Sequence, residues 1–226
     1  MDRRFSLICF AHAGAGATEF ALWPQFLPDW LDLHAHVAPG REERAKESSL
    51  GSVEELVVDA SPEIDNLPEQ LVLVGHSFGA MVAYEMAHLL VSSDRPPAHL
   101  IVLAASPPSR TPAPPRDDNE LTSLWIRLGA DPAPLARPQF RRMVFPILRA
   151  DMAAHAAYQP PRRDPLPVPV TVMYGDTDPS VAAEDVAAWR PLCAETFDLV
   201  AMPGGHFFPR ESVAATVHAI IRTLLR

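Results

Sequence analysis

The sequence predicts an α/β fold, a mostly parallel central sheet with helices on both faces. Short, branched apolar runs such as Leu71-Val72-Leu73-Val74 have the length and composition of buried strands. Between these runs lie segments whose apolar residues recur at helical spacing. Strand and helix alternating in this way imply parallel strands joined by right-handed crossovers. The clearest unit is Gln70 to Met86. It holds an apolar run, the turn Gly75-His76-Ser77-Phe78-Gly79, and then Met81, Val82 and Met86 on one helical face.

At 226 residues one domain is expected, spanning 1–226. Hydrophobic residues at 48% and charged residues at 21% fit a soluble globular protein. The formal charge of −9 argues against nucleic acid, which needs a basic footprint. The 25 prolines sit mostly between candidate elements, where they punctuate loops. Cys9 and Cys193 lack metal-ligand spacing and read as buried, reduced thiols of a cytoplasmic protein. Asp2-Arg3-Arg4 faintly mimics an export signal, but the apolar part that follows, Phe5 to Ala11, is too short. No apolar run is long enough to span a membrane.

In chain order, Arg4 to Phe10 reads as the first strand and Ala11 to Gly16 as a small-residue loop. A short amphipathic helix is expected from about Thr18 to Leu27, anchored by Phe20, Trp23 and Phe26. Leu33 to Val37 reads as a strand and Pro39 to Arg44 (PGREER) as a turn and charged loop. Ser52 caps a helix whose apolar face is Val53, Leu56, Val57 and Ala60. After the central unit, His99 to Ala104 is another strand.

The alternation then breaks, because Ser106 to Asp118 has the composition of a linker. Two helical patterns follow, Leu121-Leu124-Trp125-Leu128 and Phe140-Met143-Val144-Ile147-Leu148, the second with a kink expected at Pro146. The proline-rich stretch Gln159 to Pro169 closes the insertion. Residues from about 106 to 165 therefore read as a helical lid over the strand ends. The sheet resumes at Val170 to Tyr174 and Thr196 to Ala201, with helices at Ala183 to Trp189 and Ser212 to Leu225.

G-x-S-x-G between a strand and a helix is the context of a nucleophile elbow. The turn strains Ser77, so its flanking positions must lack bulk, and Gly75 and Gly79 meet that need. A serine hydroxyl is a poor nucleophile at pH 7. It needs a base to take its proton, and the base needs a carboxylate to hold its tautomer. In α/β-hydrolases the partners follow in the order Ser, Asp, His, from loops after later strands. Of nine histidines, only His12 and His206 lie in small-residue loops after strands, and His12 precedes the elbow. His206 is therefore assigned as the base. Asp178 and Asp176 share the right loop; Asp178, a turn beyond the strand end, is favoured, and Asp176 is the alternative. For the oxyanion, the expected donors are the backbone N–H groups of Phe78 and of Ala13 in the early small-residue loop. No metal site is expected.

With these pieces in place the chain resembles the type II thioesterases of polyketide and nonribosomal peptide biosynthesis. The resemblance runs nearly end to end, through Cys9 to Gly14 (CFAHAG), Pro39 to Arg44 (PGREER), Gly75 to Ala80 (GHSFGA), Arg149 to Asp151 (RAD), Gly175 to Pro179 (GDTDP) and Pro203 to Phe208 (PGGHFF). Ala11 stands where that family usually has proline, and Phe78 where methionine is commoner. The resemblance implies an α/β-hydrolase fold with a helical lid, and hydrolysis of acyl groups from the phosphopantetheine arm of acyl or peptidyl carrier proteins. It implies Ser77 as nucleophile, His206 as base, Asp178 as acid, and the Ala13 and Phe78 amides as the oxyanion hole. No cofactor is implied beyond the phosphopantetheine that the substrate carries. Met81, Phe145 and Met152 are assigned to the acyl pocket. Arg162 and Arg163, among the basic residues near the lid, are assigned to carrier docking. A monomer is expected. A small-ester hydrolase and a non-catalytic binding module are the rival readings.

Overall fold

The apolar runs become six parallel strands in one sheet, β1 (Phe5–Phe10), β2 (Leu31–Ala35), β3 (Leu71–His76), β4 (His99–Leu103), β5 (Val170–Gly175) and β6 (Phe197–Met202), in the order β2-β1-β3-β4-β5-β6. Every residue of β1, β3 and β4 is buried. That burial on both faces explains why these strands read as continuous apolar runs rather than as alternation. The computed structural model describes residues 4–67, 70–110 and 112–226. Asp2 and Arg3 of the basic N-terminal run, and Thr111 of the proline-rich linker, lie outside the described residues.

Helices cover both faces. On one side α1 (Val53–Asp65), α2 (Gly79–Ser92) and the short α5 (Ala183–Ala187) pack with Trp189 over the sheet. The Ser52 hydroxyl caps α1, accepting from the Glu55 amide at 3.1 Å. On the other side Phe20 and Trp23 pack with α6 (Phe208–Glu211) and α7 (Val213–Leu224). No helix among the described residues is long and apolar enough to cross a membrane.

One helix expectation fails locally. Residues 18–27 form two 3₁₀ turns, Ala17–Phe20 and Trp23–Phe26, instead of one helix. Pro24, in the first turn of the second, supplies no N–H to join it to the first. Trp23 is fully buried and donates its indole N–H to the Pro209 carbonyl at 3.0 Å, whereas Phe26 is exposed and lies edge-on to the His218 ring, with centroids 6.4 Å apart. The last helix forms as expected, α7 running unbroken after Ser212, which sits at φ −122° and ψ 50° and separates it from α6. The second strand begins two residues earlier than expected, at Leu31.

Between β4 and β5 the chain leaves the sheet for α3 (Asp118–Arg127) and α4 (Pro138–Ala157). Asp117 caps α3, its carboxylate accepting from the Asn119 and Glu120 amides at 2.9 Å each. Helix α4 runs its full length with Pro146 inside it. The facing side chains Leu121, Leu135, Val144, Phe145, Leu148 and Met152 form a small core of their own, separate from the two cores on the sheet.

One charge on the apolar face of α4 ties this insertion to the sheet. Asp151 is 1% exposed. Arg41 grips its carboxylate with two N–H donors, each at 2.9 Å, and the Gly14 amide donates to it at 2.8 Å. The same guanidinium donates to the Ala15 carbonyl at 2.7 Å. The loop after β1, the loop after β2 and α4 therefore meet at one carboxylate. Removing one partner of a buried pair strands the other charge, at a cost of about 3–5 kcal/mol.

For a chain of this size each kcal/mol moves Tm by roughly 2–4 °C, so Asp151→Asn or Arg41→Met should lower it by about 10 °C. The double variant should recover part of that loss. Thermal melts of all three check it; losses that simply add would show that the two side chains do not depend on each other.

Candidate active site

Ser77 follows β3 at φ +53°, a left-handed conformation that non-glycine residues rarely hold. Its amide donates to the Leu103 carbonyl at the end of β4, 2.8 Å away, which fixes the turn against the neighbouring strand. The flanking glycines are required by space. A Cβ on Gly75 would lie 2.4 Å from the Ala80 Cα, and one on Gly79 would lie 2.2 Å from the Phe10 carbonyl oxygen. Strand β3 can therefore pass straight into α2, with Ser77 raised at the strand ends between β1 and β4. This is beside the point where the strand order reverses, the usual location of a ligand crevice in an open α/β sheet.

The structure brings Ser77, His206 and Asp178 into one hydrogen-bonded series. His206 Nε2 is 2.9 Å from Ser77 Oγ, and His206 Nδ1 is 2.8 Å from Asp178 Oδ2. A carboxylate only accepts, so Nδ1 carries the proton and Nε2 presents its lone pair to the serine hydroxyl. Sequence reasoning missed Ser180. Its hydroxyl and amide donate to Asp178 Oδ1 at 2.7 and 2.8 Å, leaving Oδ2 to face the imidazole. Burial opposes the charge on Asp178, but the hydrogen bonds from His206 and Ser180 outweigh it and hold its carboxyl below the usual range. Asp176 serves differently, accepting from the Gly204 amide at 3.0 Å and so bracing the loop that carries His206. In this arrangement Nε2 can take the Oγ proton, and Asp178 can stabilise the resulting imidazolium.

A second buried group adjoins the first. Glu19 lies between two imidazoles, with Oε1 3.1 Å from His76 Nδ1 and Oε2 3.3 Å from His12 Nε2. The remaining ring nitrogens reach backbone carbonyls, His76 Nε2 to His206 and His12 Nδ1 to Ala13, both at 2.9 Å. Burial opposes the charge on Glu19, but its contacts with His12 and His76 hold it ionised well below the usual range. Burial also pushes the His76 pKa down to about 4. These three side chains form the one group among the described residues whose atoms are gathered closely enough to hold a metal ion. In the structure those same atoms are engaged with one another.

A cavity of about 420 Å³ opens on Ser77 and His206. Ala13 and Phe78, the expected oxyanion donors, both lie on its wall. The apolar lining comes from the insertion and the loops facing it, including Leu124, Leu128, Leu148, Met152 and Val181.

Of the residues assigned to the acyl pocket, Met152 lines this cavity, and Met81 and Phe145 do not. Met81 is fully buried on the face of α2 that packs against the sheet, below the elbow rather than above it. Phe145, nearly two turns before Met152, packs in the core of the insertion and borders a different hollow, with Arg141 stacked over its ring at 5.1 Å.

Arg162 and Arg163 are also absent from the cavity. Leu166, buried and paired with Cys193, pins this segment along the α2 side of the sheet, where Arg163 forms an ion pair with Glu85 and stacks on Tyr84. The arginines that line the cavity are Arg110, ion-paired with Asp185, and Arg127 at the end of α3.

The PGREER loop also carried more than its sequence revealed. Besides the Arg41 grip on Asp151, Glu42 accepts from the Ala17 and Thr18 amides at 3.1 and 3.0 Å, capping the 3₁₀ turn that delivers Glu19. Arg44 reaches the Val37 carbonyl and Asp59. The available signal was Asp151 itself, a charge in the apolar stripe of α4, which calls for a buried partner.

Comparison with known proteins agrees with this geometry. A family model described as a thioesterase domain matches residues 5–224. The gramicidin S biosynthesis protein GrsT of Aneurinibacillus migulanus is 30% identical over 219 residues, covering 92% of this chain and 84% of that protein. The medium-chain S-acyl fatty acid synthase thioesterase of Rattus norvegicus is 33% identical over 221 residues, covering 92% and 82%. Among solved structures, the type II thioesterase BorB from the borrelidin biosynthetic cluster superposes with a TM-score of 0.87 at 29% identity, covering 98% of this chain and 93% of its own. A match of this length, to a chain whose strand ends gather a serine, a histidine and an aspartate, has one reading: this protein belongs to the thioesterase family.

Proposed function

We propose that this chain is an editing, type II thioesterase. It hydrolyses acyl thioesters from the phosphopantetheine arm of carrier proteins and so clears mis-primed or stalled units in polyketide or nonribosomal peptide biosynthesis. The observation that carries the reading is the Ser77–His206–Asp178 series at the floor of a largely apolar cavity, in a chain of this family. The type II thioesterase BorB and the biosynthesis protein GrsT, both matched over most of their length, support the assembly-line setting.

The chemistry follows from the positions of the protons. Ser77 Oγ gives its proton to His206 Nε2 and attacks the thioester carbonyl, and the oxyanion takes the Ala13 and Phe78 N–H groups as donors. Collapse breaks the C–S bond. The pantetheine sulfur leaves with the proton from Nε2, and the acyl group stays on Ser77 as an ester. A water molecule then gives a proton to Nε2 and attacks that ester, and the second collapse returns the proton to Ser77 Oγ. The sum is thioester plus water giving acid plus thiol, with no cofactor consumed.

A carrier protein is the partner this substrate requires. Carriers of this kind are acidic and this chain has a formal charge of −9, so attraction between whole molecules cannot steer docking. Local cations must do so, and Arg127, on the cavity and at the C-terminal end of α3, is the candidate in place of Arg162 and Arg163.

Mass spectrometry of an acetyl- or propionyl-loaded carrier is expected to show loss of the acyl group with wild type and none with Ser77→Ala. An intact acyl carrier beside brisk hydrolysis of a small ester would turn the reading to an esterase. No turnover of either, with Ser77 unlabelled by a fluorophosphonate, would turn it to a binding module. The two candidate acids separate cleanly: Asp178→Asn should lower kcat by roughly 10⁴-fold, by releasing the imidazole tautomer. Asp176→Asn, which weakens one hydrogen bond, should stay within about tenfold of wild type. Arg127→Glu should raise KM for the acyl carrier and spare a short acyl thioester of free pantetheine; equal effects on both would remove Arg127 from the docking face.

A further inference from the structure

His155 is a titratable side chain on the cavity wall that takes no part in the steps above. It lies on α4 three residues beyond Met152 and seven beyond Leu148, on the helical face that both present to the cavity. Its ring packs on the Phe78 ring, with centroids 5.5 Å apart and planes 41° to each other. Burial alone acts on it and pushes its pKa down to about 4, with no neighbouring charge or hydrogen bond contributing. At neutral pH it is therefore an uncharged imidazole offering one donor and one acceptor. The wall around it is apolar, made by Leu148, Met152 and Leu128. The other polar groups of the cavity outside the triad are His12, Ser106, Arg110, Arg127 and Ser180; His12 is already engaged with Glu19 and the Ala13 carbonyl, and Ser180 with Asp178.

Phe78 fixes where along a substrate this imidazole acts. Its amide is the proposed donor to the thioester oxygen, and its ring is what His155 touches. The imidazole thus faces the part of the cavity next to the reacting carbonyl, where the first carbons of the acyl chain lie. A plain alkyl chain there would displace water from the imidazole without replacing its hydrogen bonds, which loses affinity; a hydroxyl or oxo group would restore them.

We propose that His155 is a specificity-determining residue, selecting acyl groups that carry a hydroxyl or oxo oxygen close to the thioester carbonyl. This inference rests on the acyl-carrier hydrolase reading above. The test is kcat/KM for 3-hydroxybutyryl- and butyryl-loaded carrier, measured for wild type, His155→Leu and His155→Gln. Wild type is expected to favour the hydroxylated unit by about tenfold, as a site built to bond a hydroxyl discriminates against the analogue lacking it. His155→Leu should abolish that preference by slowing the hydroxylated substrate while butyryl turnover is kept, which also shows that the variant folds. His155→Gln, which retains a donor and an acceptor, should keep part of the preference. Equal wild-type rates, or a preference that survives His155→Leu, would overturn the proposal and leave the hydrolase reading standing. Failure of wild type to turn over either carrier would remove both. If His155→Leu does not fold, the wild-type ratio and His155→Gln decide the question.

Discussion

The close approach of β1, β3 and α2 around two glycines is the constraint on which the rest of this structure depends. Ser77 can hold its left-handed conformation because Gly75 lets the Ala80 backbone come close and Gly79 lets the Phe10 carbonyl come close. That second contact does more than relieve crowding. It sets the end of β1 directly against the start of α2, so the loop leaving β1 passes beside the serine. Ala13 is thereby placed on the same cavity wall as Phe78. The parallel register does the same for the other partners. Gly175 pairs with Met202 at the ends of β5 and β6, so the loops bearing Asp178 and His206 emerge side by side. Strain at one residue is tolerated because packing on every side leaves it no alternative.

Buried charge supplies the second level of order. A small-residue loop such as Ala11 to Gly16 has few side chains with which to hold a shape. Here its shape is imposed from outside, by Asp151 on the Gly14 amide and by Arg41 on the Ala15 carbonyl. Both anchors come from distant parts of the chain, and Asp151 comes from the insertion. The cavity wall made by Leu148 and Met152 therefore moves with the loop that carries the expected oxyanion donor, since one helix bears both the wall and the anchor. A hydrophobic pair of the same volume could hold two elements together but could not also satisfy the Gly14 amide.

What could be read from the sequence divides along the same line. The sheet, its helices and the serine, histidine and aspartate were legible, because each is marked by a local pattern: an apolar run, a helical period, a glycine pair or a loop after a strand. The 3₁₀ turns at residues 17–26 were not, because their aromatic spacing imitates a helix and only Pro24 spoke against it. Met81 misled for a related reason. Its place next to the elbow suggested the pocket, but one helical turn carries a side chain from the strand-end surface into the core. Arg163 looked free in sequence, yet Glu85, remote along the chain, neutralises it. Partners separated by 57 residues, as Glu19 and His76 are, or by 110, as Arg41 and Asp151 are, leave no periodic signature. Only the oddity of a charge in an apolar stripe pointed toward them.

Glu19 shows how far such a long-range contact reaches into the site. His12 Nδ1 lies 2.9 Å from the Ala13 carbonyl, and His76 Nε2 lies 2.9 Å from the His206 carbonyl. The other nitrogen of each ring faces one carboxylate, that of Glu19, which is held ionised between them. The peptide on the oxyanion side and the peptide of the histidine on the base side are thereby both measured from a single buried anion. Side chains can swing independently on two loops, but two backbones packed through rigid rings onto one carboxylate cannot drift apart without pulling a buried polar contact open. Such a contact is expensive to lose in a medium that offers no water to replace it. The distance from Ser77 to its base, and the placement of the amide opposite, are consequently held by the same charge.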